Sequence, residues 1–139
     1  MYLIDTNVLS ELRKGAKADP GVREFFKGLH DDQTPMYVSV VTIGELRRGV
    51  EKIRHRGDKA QAKKLEGWLS SICAEHSDSI LSFDDEMAHV WGRLRVPNHE
   101  NPLDKQIAAT ALIHDLTVVT RNVADFEGTG VRLINPFSG

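Results

Sequence analysis

Four acids in this chain stand beside short apolar runs: Asp5 in YLIDTN, Glu45 in VSVVTIGEL, Asp104 in NPLDKQ and Asp125 in TRNVADF. In an open parallel sheet, ligands bind outside the carboxyl ends of the strands. Asp5, Glu45 and Asp125 each follow a candidate strand. Asp104 opens a helix, and a packed crossover would bring that helix start to the same edge. Carboxylates about 4–5 Å apart repel by about 3–4 kcal/mol at an effective dielectric near 20, so a converged set needs a cation. Oxygen-only ligands suit Mg²⁺ or Mn²⁺. Such ions turn bound water into a nucleophile and stabilise in-line attack on phosphorus, which is the chemistry of phosphodiester hydrolysis.

Taken singly, each acid has a plainer reading. Asp5 and Asp104 suit the positive ends of helices, worth about 0.3–1 kcal/mol each. Thr42 to Glu45 reads T-x-x-E, a capping box. The polar neighbours argue for more than capping. Asn7, Thr120 and Asn122 are placed to orient carboxylates or hold metal-bound water, and caps need no such support.

The elements that must position these acids follow from the pattern of apolar residues. Strands are expected at Tyr2-Leu3-Ile4, at MYVSV from Met36, at Ile80-Leu81, at LTVVT from Leu116 and at VRLI from Val131. The β-branched LTVVT run suits a buried parallel strand. Helices fill the gaps. Asp19-Pro20 is a cap followed by proline, ahead of Val22, Phe25, Phe26 and Leu29 at helical spacing. Thr42 to Glu45 opens a second helix. A charged helix runs from Gly57 to about Ser71, and Ser82 to Asp85 (S-x-x-D) opens another. Asn101-Pro102 precedes LDKQIAATALIHD, rich in helix formers. This alternation predicts βαβ units and a parallel sheet. The 139 residues suit one domain, 1–139.

Composition narrows the function. No apolar stretch approaches the ~20 residues of a membrane span, and no signal peptide is expected at the N-terminus. The single cysteine, Cys73, lacks a partner for an internal disulfide or a zinc site, so a reducing, cytoplasmic setting is expected. The net charge is −2, so any nucleic-acid contact must be local. Eight of the eighteen Lys and Arg fall within residues 47–64, Arg47 and Arg48 among them, facing only Glu51 and Asp58 in that stretch. They are candidate phosphate contacts or a solvated surface. Arg121, beside Asn122, is the better placed for substrate. Trp91 reads as core. Val22, Phe25, Phe26 and Leu29 also read as core, with a groove for a partner helix as the alternative for part of that face. The six histidines form no recognisable relay.

The stretches YLIDTNVLSEL, VSVVTIGELRRGV, DKQIAATALIHDLTVVTRNVADF and GTGVRLINPF resemble the PIN-domain ribonucleases, in particular VapC-type toxins of type II toxin–antitoxin pairs near the FitB-like branch. The resemblance spans essentially the whole chain. It implies a three-layer α/β/α fold with a central, mainly parallel sheet of 4–5 strands, and an endonuclease that uses Mg²⁺ or Mn²⁺ to cut RNA and leaves a 5′-phosphate. It maps the family's acids onto Asp5, Glu45, Asp104 and Asp125, and its supporting polar positions onto Thr6, Asn7, Thr120 and Asn122. It implies a homodimer and a cognate antitoxin whose other end usually binds DNA. One departure stands out: Lys105 and Gln106 follow Asp104 where many relatives carry small or apolar residues. Lys105 is open to three readings: a phosphate contact, a partner for a neighbouring acid, or a solvated helix residue.

Two other functions fit parts of the pattern. A non-catalytic PIN-fold module binding RNA or protein would keep the fold and lose the metal. A phosphatase using Asp5 as nucleophile would want a second acid two residues on, where Asn7 stands.

Overall fold

The computed structural model describes residues 1–138. Five strands form one sheet: β1 (Tyr2–Ile4), β2 (Met36–Ser39), β3 (Ile80–Leu81), β4 (Thr117–Val119) and β5 (Leu133–Ile134). Their order is β3-β2-β1-β4-β5, and every pairing is parallel rather than mainly so. The chain moves outward from β1 to β2 to β3, then returns to pair β4 on the other side of β1. The order therefore reverses between β1 and β4, where a crevice opens beyond the strand ends.

Strand alternation sends successive side chains to opposite faces. Ile4, Val38 and Val119 join one core with α1 (Thr6–Leu12), α2 (Pro20–Asp31), α3 (Val40–His55) and α4 (Lys59–Glu75). Leu3 and Val118 join the other core with α6 (Pro102–His114), against which α5 (Asp85–Leu94) packs. Helices thus cover both faces, giving the expected three layers. Phe126 is 1% exposed and fills the second core.

Several boundaries differ from the sequence reading. α3 starts directly after β2, at Val40, with Ser39 as its cap: the Ser39 hydroxyl accepts from Val41 N at 3.0 Å. The T-x-x-E box therefore does not open the helix. Thr42 lies inside it, fully buried, and accepts a hydrogen bond from the Thr6 hydroxyl at 3.3 Å. Ser39 takes the cap because the chain turns from strand into helix without a loop. Ser82 likewise yields to Asp84, whose carboxylate accepts from Met87 N at 3.0 Å. The charged helix is α4, capped by Asp58 and running on to Glu75. The Asp19-Pro20 start holds, with Asp19 accepting from Val22 N at 3.1 Å.

The Val22 and Leu29 face of α2 is buried, with Phe25 and Phe26 packed against the same core. Val22 is core as expected, while Phe26 and Leu29 also line an open cavity with Leu12 and Met36. Trp91 is half-buried: its ring N–H donates to the Pro102 carbonyl at 2.8 Å, pinning α5 to the first turn of α6. No helix among the described residues is long and apolar enough to cross a membrane.

Candidate active site

Asp5 occupies the end of the central strand. Its backbone N–H donates to Val119 O at 2.9 Å, which locks it to β4. Its carboxylate also caps α1. One oxygen accepts from Thr6 N at 2.8 Å. The other accepts from the Thr120 hydroxyl at 2.8 Å and from the Asn7 amide at 3.3 Å. Asn7 in turn accepts from Arg121 N at 3.0 Å, and Asn122 N donates to the Thr120 hydroxyl at 3.0 Å. These bonds tie the start of α1 to the loop after β4. Asp5 is 3% exposed. Burial pushes its carboxyl above the ordinary range. The Thr120, Thr6 and Asn7 donors pull the other way, and the Glu45 charge adds to the rise.

The other acids arrive on different elements. Glu45 comes from α3, Asp104 from the first turn of α6, and Asp125 from a 3₁₀ turn at Val123–Phe126. Asp5, Thr6, Asn7, Glu45, Asp104 and Asn122 line one cavity of about 430 Å³. Asp125 lines an adjoining cavity, and Asn101 lines both. Asp104 feels all three other acids: burial first, then the charges of Asp5, Asp125 and Glu45, raise its carboxyl from 3.8 to about 6. The four acids chosen from the sequence therefore share one electrostatic field at the β1/β4 crevice.

Among the described residues, no three His, Cys, Asp or Glu side chains close at the spacing of a single-ion cage. Mg²⁺ keeps several waters and binds through one or two carboxylates plus substrate phosphates. The donors are all oxygen, and the raised Asp104 carboxyl marks a surplus of negative charge that a cation would neutralise.

Other candidates divide. Thr6, Asn7 and Asn122 line the acid cavity, while Thr120 is buried beneath it against Asp5. Arg121 is exposed, with its guanidinium 4.6 Å from the Phe137 ring centre. Arg47 is not a free basic group. It binds Glu66 of α4 at 2.6 Å and Glu51 at 3.4 Å, and Arg54 completes the network through the same two acids. Glu66 lies outside the 47–64 stretch, so the basic excess there is smaller in the fold than in the linear chain. Arg48 remains exposed on α3. Lys105 is neither solvated nor paired with a neighbouring acid. It is 5% exposed, and its ammonium donates to the Asn98 carbonyl. Asn101, Leu103 and Ile107 also line the acid cavity and escape the sequence reading. Asn101, before a proline, reads only as a helix lead-in. In the fold it sits at φ +54, left-handed, which turns the loop into α6.

The raised Asp104 carboxyl has a consequence for stability. Asp104 protonates more readily folded than unfolded, so the folded state holds the extra proton between about pH 4 and 6. Metal-free stability then falls as pH rises through that window, and the cost is complete above about pH 6. Allowing for partial solvent screening, Asp104→Asn should stabilise the metal-free protein by about 1–2 kcal/mol at pH 7.5 and by nothing below about pH 4. Urea melts at the two pH values check it, and equal melts at pH 7.5 would contradict it. Thr120→Val removes the hydroxyl that donates to the buried Asp5 carboxylate. It should cost about 1–3 kcal/mol, measured by thermal denaturation, and an unchanged midpoint would show that the bond carries no stability.

An all-parallel sheet with acids gathered beyond β1 and β4 defines the class. The PIN domain family matches residues 2–129, and the chain belongs to that family. Within it, similarity to VapC-type toxins runs the whole length. The chain is 33% identical to Toxin FitB of Neisseria gonorrhoeae, across 99% of each chain. It is 30% identical to VapC ribonuclease Y4jK of Sinorhizobium fredii, across 99% of this chain and 98% of that one. The crystal structure of FitAcB from Neisseria gonorrhoeae matches with a TM-score of 0.83 and 31% identity, over 98% of each chain.

Proposed function

We propose that this protein is a metal-dependent endoribonuclease, the toxin of a type II toxin–antitoxin pair. The observation that carries the reading is that Asp5, Glu45 and Asp104, from three parts of the chain, line one cavity, with Asp125 in the cavity beside it. Four separate elements supply these acids, and a merely structural role for each would not require a common meeting point. The names of the relatives support the same reading: one is a toxin, another a ribonuclease. We extend the reading to a cognate antitoxin, in keeping with the toxin–antitoxin pairs the sequence resembles, and to a homodimer, whose mass sedimentation would measure.

Asp5, Glu45, Asp104 and Asp125 would hold Mg²⁺ or Mn²⁺. Such an ion, when bound, supplies a hydroxide near neutral pH and stabilises charge at phosphorus. The protein's own part is positioning. Thr120, Asn7 and the Thr6 amide hold Asp5 in one orientation. The Trp91–Pro102 bond fixes the start of α6 and thus the place of Asp104. The N-terminal peptide dipoles of α1 and α6 favour negative charge at the same mouth.

Purified protein incubated with structured RNAs tests the reading. Cleavage in millimolar Mg²⁺ or Mn²⁺, abolished by a chelator and restored by added metal, is the expected result. RNA binding with no cleavage at any metal concentration would instead identify a non-catalytic PIN module.

A further inference from the structure

Beside the acid cavity lies a second one, of about 380 Å³, within the size range of small-ligand sites. The two share Asn101, and Asp125 lines the second while its charge acts on Asp104 in the first. Consecutive residues of α6 divide the work: Asp104 lines the acid cavity and Lys105 the neighbour. Lys105 is the unusual group. Its side chain is buried, 5% exposed, inside a helix whose other buried residues are apolar or small. Among the described residues no carboxylate lies within ion-pair distance of it. The Asn98 carbonyl takes one of its three N–H donors. Its remaining donors need acceptors, and the cavity is where acceptors can enter.

The rest of the lining says which acceptors. Glu100 and Glu127 stand on the same cavity, together with Asp125. Three acids against one lysine disfavour a bare phosphate. A nucleobase that offers acceptors to the lysine and N–H donors to a carboxylate satisfies both. Guanine does this across two adjoining edges: N7 and O6 accept, and next to O6 the N1–H and the 2-amino group donate as a pair. Adenine and cytosine put an amino donor where guanine has O6, and uracil has only one N–H donor.

We propose that this cavity is a guanine subsite, with Lys105 donating to O6 or N7 and Glu100 or Glu127 accepting from the Watson–Crick edge. This rests on the ribonuclease reading: the guanine belongs to an unpaired nucleotide next to the scissile phosphate, since single-stranded bases are what side chains can read in RNA.

Two measurements test it separately from cleavage itself. In the first, the metal-free protein is titrated with guanosine, adenosine, cytidine and uridine and followed by NMR shifts. Guanosine should bind about tenfold more tightly than the others, and Lys105→Met should remove the preference. Equal binding of the four nucleosides, or a preference that survives Lys105→Met, overturns the proposal. If Lys105→Met does not fold, the exposed pair Glu100→Gln with Glu127→Gln decides, and a retained preference overturns it. In the second, a randomised RNA is digested in Mg²⁺ and the ends are mapped. Guanine should be enriched beside the cut about tenfold. Cleavage with no guanine enrichment defeats the subsite and leaves the nuclease reading intact. No cleavage at all defeats the nuclease reading, and the nucleoside titration still decides the subsite.

Discussion

Asp5→Asn should lower RNA cleavage by at least about a hundredfold, because it removes the charge of the carboxylate on the central strand. The substitution is close to isosteric. The amide keeps one carbonyl oxygen to accept from Thr6 N, so α1 keeps its cap. What it loses is an acceptor-only group facing the Thr120 hydroxyl and the Asn7 amide, and the negative charge beside Asp104. Two readouts separate the effects. Initial cleavage rates in saturating Mg²⁺ report the chemistry. Calorimetric titration with Mn²⁺ reports the ion, and its affinity should weaken in parallel. A variant that cuts RNA at the wild-type rate would remove Asp5 from the site and with it the carboxylate mechanism.

Phe126→Ala should cost about 3–5 kcal/mol of folding stability, enough to threaten a domain of this size. Phe126 is the largest fully buried side chain and packs beneath the 3₁₀ turn with Leu3, Ile107 and Val118. Its carbonyl accepts from the Thr129 hydroxyl at 2.6 Å, which closes the turn from the other side. Asp125 immediately precedes it. The ring therefore anchors the acid, and emptying its place should lower activity in the fraction that remains folded. Urea denaturation at 25 °C measures the first effect. Cleavage rate per folded molecule measures the second. A loss below about 1 kcal/mol would mean that the turn collapses into the cavity without strain.

The two substitutions probe different links of one chain of causes. Asp5 concerns charge at the crevice, and Phe126 concerns the core that places a crevice residue. The acids are legible in the linear chain, and their packing is not. Asp5 and Asp125 follow β-branched or apolar runs closely, and a parallel sheet sends such positions to one edge whatever the details. Asp104 is legible for a weaker reason: Asn101-Pro102 marks a helix start. That the start reaches the crevice depends on Trp91 holding Pro102 and on Asn101 adopting a left-handed backbone. Neither is a property of nearby sequence.

Lys105 and Arg47 show the same limit with opposite outcomes. Both are basic residues inside helices, and residue type alone treats them alike. Tertiary contact gives Arg47 the Glu66 carboxylate from α4, nineteen positions away, so its charge is matched at the surface. It gives Lys105 a buried place with one carbonyl. The capping motifs fail for a related reason. T-x-x-E and S-x-x-D are correct patterns, but Ser39 and Asp84 lie closer to where the chain turns.

Residue type and periodicity were enough for the alternation of strands and helices and the parallel sheet, and for choosing four candidate acids with their polar neighbours. Those signals are local, so they survive in a linear chain. Three things had to wait for the closed fold: which helix start meets the β1/β4 crevice, how far burial and mutual repulsion raise Asp104, and that Lys105 keeps unused donors beside a cavity. Each depends on distances between residues far apart in the chain, and such distances exist only once both cores have closed on the sheet.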